Sequence, residues 1–297
     1  MEEIFHDIPL KRDAPLSDIC TFRIGGMADY LLMPKTKEQL VGALRTAEER
    51  GIRYTVVGNG SNLLFSDEGY RGAVILTSAL RRAEFSEDGT VTAECGVSVT
   101  ALAHEAAERG LSGLEFAYGI PGSVGGAGVM NAGAYGGQTS DVLVNSECFD
   151  PKTGELRRLS AEEHRYGYRE SIYLEHPELA FLSAVLKLDF GDRAEIKEKS
   201  EANMRARREK QPLEYPSAGS VFKRPTGYFA GALLEGAGLK GKRIGGAAVS
   251  DKHAGFIVNL GGATCSDVLS LIDFIKDDVL TKFGVELECE VKYIPEK

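Results

Sequence analysis

"GIPGSVGGAGVMNAGAYGG", residues 119–137, places eight glycines in one short segment. Glycine loses more backbone freedom on folding than any other residue, so such density needs a reason. Such density has no expected use in a core, and it lets the backbone approach a ligand closely. A second cluster, Gly58-Asn59-Gly60-Ser61-Asn62 within "VVGNGSNLLFSDEG" (56–69), directly follows a β-branched run. Glycines at i and i+2 let successive N–H groups turn towards one centre, an anion nest. Neither cluster is a Walker A loop, because no G-K-[ST] follows. Neither is G-x-G-x-x-G opening a helix with an acidic residue about 20 positions on. Together they predict a large phosphate-bearing cofactor held by something other than a Rossmann or P-loop fold.

Working outward, helical and β-rich segments alternate. "TKEQLVGALRTAEERG" (36–51) opens with a Thr36–Gln39 capping box and closes on Gly51, so it reads as an exposed helix. "VTALAHEAAERG" (99–110) reads as a helix ending at Gly110. "GAVILTSA", "TVTAEC", "LVNSECF" and "FLSAVLKLDF" are β-rich, and "DPKTGE" after Cys148 predicts a hairpin. The pattern changes at "GDRAEIKEKSEANMRARREKQP" (191–212), a highly charged helix with a solvated face, ended by Pro212; it marks a domain boundary. "GALLEGAGLKGKRIGGAAV", the strand "GFIVNL", the helix "CSDVLSLIDFIKDDVLTKFG" and the strand "VELECEVKYI" finish the chain. In that last strand Val285, Leu287, Cys289, Val291 and Tyr293 share one face, and Glu286, Glu288, Glu290 and Lys292 the other.

Composition narrows the function classes. A chain of 297 residues has room for two domains, and 43% hydrophobic with 27% charged residues is ordinary for a globular protein. A net charge of −9 argues against a general nucleic-acid binder. "MEEIFHDIPLKRD" lacks a signal peptide's basic start and apolar stretch, and no apolar run approaches the ~20 residues of a membrane span. The five cysteines form no C-x-x-C pair and read as reduced, buried thiols of a cytoplasmic protein. "HEAAE" at His104 has Glu108 where H-E-x-x-H needs its second imidazole, so no metal site is expected.

Three polar residues stand out beyond the glycines. Arg169 in "RYGYRES" follows a glycine by two positions and lies among tyrosines, a context suited to holding a carboxylate in a guanidinium fork. A surface arginine is the competing reading. Ser220 in "PSAGSVFKRP" (216–225) lacks the nucleophile elbow, since G-x-S-x-G would need glycine where Phe222 stands. Glu290, taken alone, reads as an exposed strand carboxylate.

The ordered motifs "TFRIGG" (21–26), "VVGNGSNLLF" (56–65), "GIPGSVGGAGVMNAGAYG" (119–136), "YGYRES" (166–171), "PSAGSVFK" (216–223) and "LECEVKYI" (287–294) carry a resemblance. From about residue 15 to 294 the chain resembles the UDP-N-acetylenolpyruvoylglucosamine reductases (UDP-N-acetylmuramate dehydrogenases) of bacterial peptidoglycan synthesis. The resemblance implies an α+β protein. A vanillyl-alcohol-oxidase/PCMH-type FAD-binding domain of two α/β subdomains, about 1–76 and 77–190, would precede a C-terminal α+β substrate-binding domain, 191–297. It implies non-covalent FAD along Gly58, Asn59, Gly60, Ser61, Asn62 and Leu63. The second stretch of FAD contacts would be Gly119, Ile120, Pro121, Gly122, Ser123, Gly125 and Gly126, with Asn131, Gly133 and Ala134.

The implied reaction has two halves sharing one site. NADPH passes hydride to the flavin and leaves; the enolpyruvyl ether of UDP-N-acetylglucosamine then takes hydride at its methylene carbon. Charge spreads from the neighbouring carbon into the carboxylate as an enolate. By the resemblance Arg169 polarises that carboxylate, and Glu290 joins it as the protonated acid, because an ionised carboxylate repels an enolate. Ser220 gives the carbon its proton, helped by a cation from Lys210 or Lys223. Tyr135, Lys210 and His253 match substrate contacts, and Arg224 stands where some relatives have asparagine. The short interval from Arg169 to Ser220 resembles the subgroup without the inserted tyrosine loop. A UDP-sugar is the expected partner, in a monomeric cytoplasmic enzyme without nucleic acid or membrane. Two other readings stay open: a related FAD-dependent oxidase of an alcohol or lactone, and a catalytically inactive nucleotide-sugar binding protein.

Overall fold

The computed structural model describes residues 4–297. Its helices are α1 (Lys37–Glu49), α2 (Val99–Glu108), α3 (Val124–Met130), α4 (Ile172–Glu175), α5 (Arg193–Lys210), α6 (Ala230–Gly236) and α7 (Cys265–Phe283). No helix among the described residues is long and apolar enough to cross a membrane.

The α1 helix shows how local sequence sets an element. Leu40, Ala43, Leu44 and Ala47 recur at helical spacing and are all fully buried. Each leucine so buried contributes about 2 kcal/mol of transfer free energy. The expected capping box is half present. Thr36 Oγ1 accepts the Gln39 N–H at 3.2 Å, but the Gln39 side chain accepts from the Lys35 N–H at 2.8 Å instead of returning to Thr36.

Contacts divide the chain into two units. Unit 1 holds the residues up to Arg12, Tyr30–Asn59 and Gly72–Arg207; unit 2 holds Asp13–Asp29, Gly60–Arg71 and Arg208–Lys297. These contact units are drawn differently from the 190/191 limit that the resemblance implies, and the reason is local bonding. Most of α5 stays with unit 1, where Asn203 Nδ2 donates to Glu115 O at 2.9 Å and Lys197 pairs with Glu108 at 2.6 Å. The two early segments of unit 2 are bound to late ones. Asp67 caps α7 by accepting the Cys265 and Ser266 N–H groups at 2.7 and 2.9 Å. Asn259 Nδ2 donates to Phe22 O at 3.2 Å, and Thr21 Oγ1 to Ser217 O at 2.6 Å.

Unit 1 contains an antiparallel sheet in the order Glu155–Ser160, Leu143–Asp150, Ala180–Lys187, Thr90–Glu94, Ala83–Phe85. The expected "DPKTGE" hairpin joins its first two strands, with Asp150 opposite Glu155 and Gly154 at φ +75°. The core of this unit includes Leu102, Ala106, Phe149, Leu182 and Leu186. An apolar void of about 20 Å³ beside Leu114, Phe116 and Val124 has room for roughly one water and is a packing gap, far too small for a cofactor.

Unit 2 contains a four-stranded antiparallel sheet, Ser217–Ser220, Phe256–Asn259, Ala247–Val249, Arg243–Ile244. The α7 helix packs on it through Val268, Leu271, Ile272 and Ile275, with the Thr264–Asp267 capping box at one end and Gly284 at φ +67° at the other. The expected strand 285–294 is regular only at Lys292–Ile294, which runs parallel to Leu63–Phe65. Before it the chain is bridged to unit 2 at Cys289–Phe222. The Glu290 and Val291 N–H groups both reach Val221 O, at 2.7 and 3.4 Å, which is the bond pattern of a β-bulge. One extra residue reverses the facing of everything after it. Leu287 is therefore buried while Tyr293, expected on the same face, is 45% exposed.

Candidate active site

In unit 1 the first glycine loop begins on top of the second. A Cβ on Gly58 would collide with Ser123 Oγ, and Asn59 Nδ2 donates to Pro121 O at 3.2 Å. Ser123 caps α3 by accepting the Gly126 N–H at 3.2 Å. The segment before it is anchored on α2: Thr100 Oγ1 donates to Ile120 O at 2.8 Å and accepts the Gly119 N–H at 3.1 Å, and the Val99 N–H donates to Gly122 O at 3.1 Å. Gly58 and Asn59 of the first cluster thus share one neighbourhood of unit 1 with the second cluster, although 62 positions separate Asn59 from Pro121.

The glycines do not all serve the purpose expected of them. A Cβ at Gly125 would meet Cys95 Cβ at 2.8 Å, one at Gly137 would meet Phe116 at 2.7 Å, and one at Gly128 would enter the Phe181 ring. These three are demanded by close internal packing, so a core does have use for dense glycine. Gly126 differs: it is exposed, and a Cβ there would meet only Ser123 Oγ at 3.5 Å. Gly136 is open as well, with φ +83°. It forms with Tyr135 (φ +50°) the two-residue turn between Gly133–Ala134 and Gly137–Gln138, the doubly left-handed geometry of a type I′ hairpin. Exposed backbone at Gly126 and Gly136, with only Ser123 Oγ near the first and nothing over the second, fits a large cofactor bound mainly through main-chain groups.

Arg169 sits at the third position of a tight turn closed by reciprocal Gly167 and Glu170 backbone bonds of 3.3 and 3.4 Å. Its φ of +58° is the left-handed region usually left to glycine or asparagine, and costs about 1 kcal/mol or more. The turn is fastened to the C-terminal end of α3, where carbonyls lack helical partners. Tyr166 Oη donates to Gly128 O at 2.8 Å and Ser171 Oγ to Val129 O at 2.6 Å. The Arg169 guanidinium donates to Asn131 O and Gly133 O, both at 3.2 Å, and lies 5.0 Å from the Tyr168 ring centre. A helix C-terminus favours a cation, so the "YGYRES" side chains and the arginine charge suit the same place.

Asn131, expected among the cofactor contacts, is used internally. It is 1% exposed at φ +42°, with Nδ2 donating to Gly167 O at 2.9 Å and Oδ1 accepting the Ser140 N–H at 3.0 Å. Its side chain holds the arginine turn and is not available to a ligand.

In unit 2 the structure brings Ser220 and Glu290 together. Ser220 ends its strand after a bulge: Ser217 faces Val258 and Ser220 faces Phe256, with Gly219 at φ +78° supplying the left-handed residue. The next residue, Val221, accepts the Glu290 N–H described above, and Asn62 clasps the other side. Asn62 Nδ2 donates to Glu290 O at 3.0 Å and Asn62 O accepts the Lys292 N–H at 2.9 Å. Asn62 therefore braces the Glu290 bulge, and Leu63 pairs with Lys292 in the parallel ladder. Gly60, at φ +60°, leaves no room for a Cβ beside Ile19 O, while Ser61 is half-buried.

The remaining candidates are placed unevenly. Lys223 is ion-paired with Glu288 at 2.6 Å, so its ammonium is not idle. Arg224 lies over the Phe229 ring at 4.9 Å, and Lys210 is exposed at the end of α5. His253 Nδ1 accepts the Gly255 N–H at 3.1 Å, and burial holds its imidazole below the usual histidine range. One residue was missed. Arg207 on α5 is only 6% exposed, its guanidinium 5.3 Å from the Tyr135 ring centre and its pKa lowered by burial. The signal was available, since Ile196, Ser200 and Arg207 recur on one helical face, but the charge density of α5 hid it.

The family comparisons fit this arrangement. Residues 211–294 match the UDP-N-acetylenolpyruvoylglucosamine reductase C-terminal domain, and residues 28–160 match an FAD binding domain. The UDP-N-acetylenolpyruvoylglucosamine reductase of Caldicellulosiruptor bescii is 49% identical over 97% of this chain and 92% of its own length. That of Geobacillus kaustophilus is 48% identical over 99% and 96%. The crystal structure of the UDP-N-acetylenolpyruvylglucosamine reductase (MurB) from Thermus caldophilus superposes with a TM-score of 0.81 at 37% identity, covering 97% of this chain and 99% of that one. With such identity over nearly the whole of both chains, this protein belongs to the UDP-N-acetylenolpyruvoylglucosamine reductase family.

Proposed function

We propose that this chain is an FAD-containing, NADPH-dependent reductase that converts enolpyruvyl-UDP-N-acetylglucosamine to UDP-N-acetylmuramate for peptidoglycan synthesis. Bound FAD supplies hydride chemistry, accepting from NADPH and delivering to the substrate's methylene carbon. The Gly58–Asn59 and Gly119–Gly126 loops hold it, with Gly133 and Ala134 nearby; Asn131 supports them from behind. The domain reading that goes with this is a cofactor domain to about residue 190 and a substrate domain after it.

The protein's own groups handle charge and protons. Arg169, raised on a strained turn, orients and polarises the substrate carboxylate. Glu290 hydrogen-bonds the same group as the neutral acid while enolate charge develops. Ser220 donates the proton that completes the reduced carbon. The observation that supports this assignment best is the Val221–Glu290 hydrogen bond, which holds serine and glutamate on adjoining bulged segments. A bulge is a common device for re-aiming a side chain beside an active site. Tyr135, Lys210, Arg224 and His253 are assigned to the UDP-sugar, and Lys223 is assigned as a nearby cation that aids the proton step. The enzyme is taken to act as a cytoplasmic monomer on a soluble UDP-sugar.

The test is direct. Purified protein should be yellow, bleach with NADPH in the absence of oxygen, and recolour on addition of enolpyruvyl-UDP-N-acetylglucosamine. Reoxidation by oxygen alone, with no response to that substrate, would sink the reading.

A further inference from the structure

Behind the Arg169 turn lies a chain of buried polar groups that the proposed chemistry does not use. His164 is fully buried; its Nδ1 is 2.6 Å from Ser160 O and its Nε2 2.7 Å from Ser146 Oγ. Ser146 Oγ, also fully buried, is 2.6 Å from Tyr173 Oη. The hydrogen directions follow from one group. A carbonyl only accepts, so Nδ1 carries the proton and donates to Ser160 O. Burial favours the neutral imidazole, so Nε2 accepts from Ser146, and Ser146 in turn accepts from Tyr173. Every polar atom of the chain then has a defined role.

These bonds tie both ends of one segment to the strand Leu143–Asp150. His164 O also accepts the Ile172 N–H at 2.8 Å, clasping the loop from 164 to 172 at its neck. The His164 ring stacks on Tyr166 with centroids 4.9 Å apart and planes at 12°, and Tyr173 packs on Phe181 at 5.2 Å. Tyr166, Ser171 and Asn131 then pin the loop to α3, leaving Arg169 at its tip in left-handed geometry. Three apolar side chains would fill this volume without the cost of burying polar atoms. A directional hydrogen-bond chain instead selects a single arrangement of the loop.

We propose that the Tyr173–Ser146–His164 chain is a positioning device for Arg169, setting the guanidinium's aim at the substrate carboxylate. It rests on the carboxylate-holding role of Arg169 proposed above. Small angular errors in such a fork are expensive: displacement by about 1 Å can cost on the order of a hundredfold in rate. Removal of one outlying hydroxyl should cost roughly tenfold.

The experiment uses FAD-loaded full-length protein with Tyr173→Phe and Ser146→Ala, each deleting a single oxygen, with folding followed by thermal unfolding. Both should weaken binding of UDP-N-acetylmuramate, which carries the carboxylate, about tenfold, and leave UDP-N-acetylglucosamine, which lacks it, within about twofold. Flavin reduction by NADPH should be unchanged, while reoxidation by the enolpyruvyl substrate slows about tenfold. In an Arg169→Lys background Tyr173→Phe should have no further effect on carboxylate selectivity, because its influence passes through the arginine. Equal weakening of both ligands, or a full Tyr173→Phe effect in the Arg169→Lys background, would overturn the positioning role alone. Unchanged carboxylate selectivity in Arg169→Lys itself would overturn the site assignment, and the positioning role with it.

Discussion

Replacing Asn131 by glycine and, separately, by alanine would separate the two things this residue does. Its side chain makes two good hydrogen bonds, to Gly167 O and from the Ser140 N–H, in a position 1% exposed. At about 1 kcal/mol for each bond lost, Asn131→Gly should cost roughly 2 kcal/mol, with glycine comfortable at the φ of +42°. Alanine loses the same bonds and must also adopt the left-handed conformation, adding about 1 kcal/mol, for roughly 3 in all. With an unfolding entropy of about 2.1 cal/mol/K per residue, a chain of 297 residues loses roughly 1.5–2 °C of melting temperature per kcal/mol. Glycine should therefore lower it by about 3–4 °C and alanine by about 5–6 °C. Thermal unfolding of the apoprotein, followed by circular dichroism, reads this without the cofactor. In the holoenzyme both variants should slow reoxidation of reduced flavin by substrate, since Gly167 and the Arg169 turn lose their strut. Flavin affinity should change much less. If either variant sheds flavin while the apoprotein melts as before, Asn131 is a cofactor ligand and not an internal strut. If alanine melts no lower than glycine, the left-handed backbone is not being enforced.

The other expectations concern the proton step and pH. Ser220→Ala should still be reduced by NADPH at the normal rate but pass hydride to substrate about 10²- to 10⁴-fold more slowly, the usual worth of a general acid; stopped-flow absorbance of the flavin checks it, and equal slowing of both halves would mean a binding role. Burial depresses the folded-state pKa of both His164 and His253, so between those values and the ordinary 6.5 the unfolded chain binds more protons. Stability should accordingly be full near pH 7.5 and fall as pH drops through 6.5 towards 5. Urea unfolding at several pH values measures it, and a flat profile over that window would contradict the buried neutral histidines.

Local rules made much of the fold readable. The α1 and α7 helices follow from apolar spacing and terminal signals, Gly110 ends α2 at φ +71°, and "DPKTGE" turns a hairpin where expected. These features depend on interactions within a few residues, which a linear reading can see. The site was legible as residue types in order, because arginine, serine and glutamate in these motifs carry a resemblance regardless of geometry.

Other features needed the folded chain. Whether a glycine faces a ligand or a neighbour's side chain depends on what lies across from it: Phe181 for Gly128, open space for Gly126. The bulge at Glu290 comes from Val221, far away in sequence, accepting two N–H groups, and no alternation rule on 285–294 alone could reveal it. Asn62 and Asn131 look like ligand residues in sequence and become struts in space, because their amides meet Glu290 O and Gly167 O. Arg207 passed for one more charge on a solvated helix until burial beside Tyr135 set it apart. Sequence by itself determined the elements and the chemical groups at hand, since propensity, capping and charge act locally. Tertiary structure decided which groups support and which are presented, since burial and hydrogen-bond partners come from segments distant along the chain.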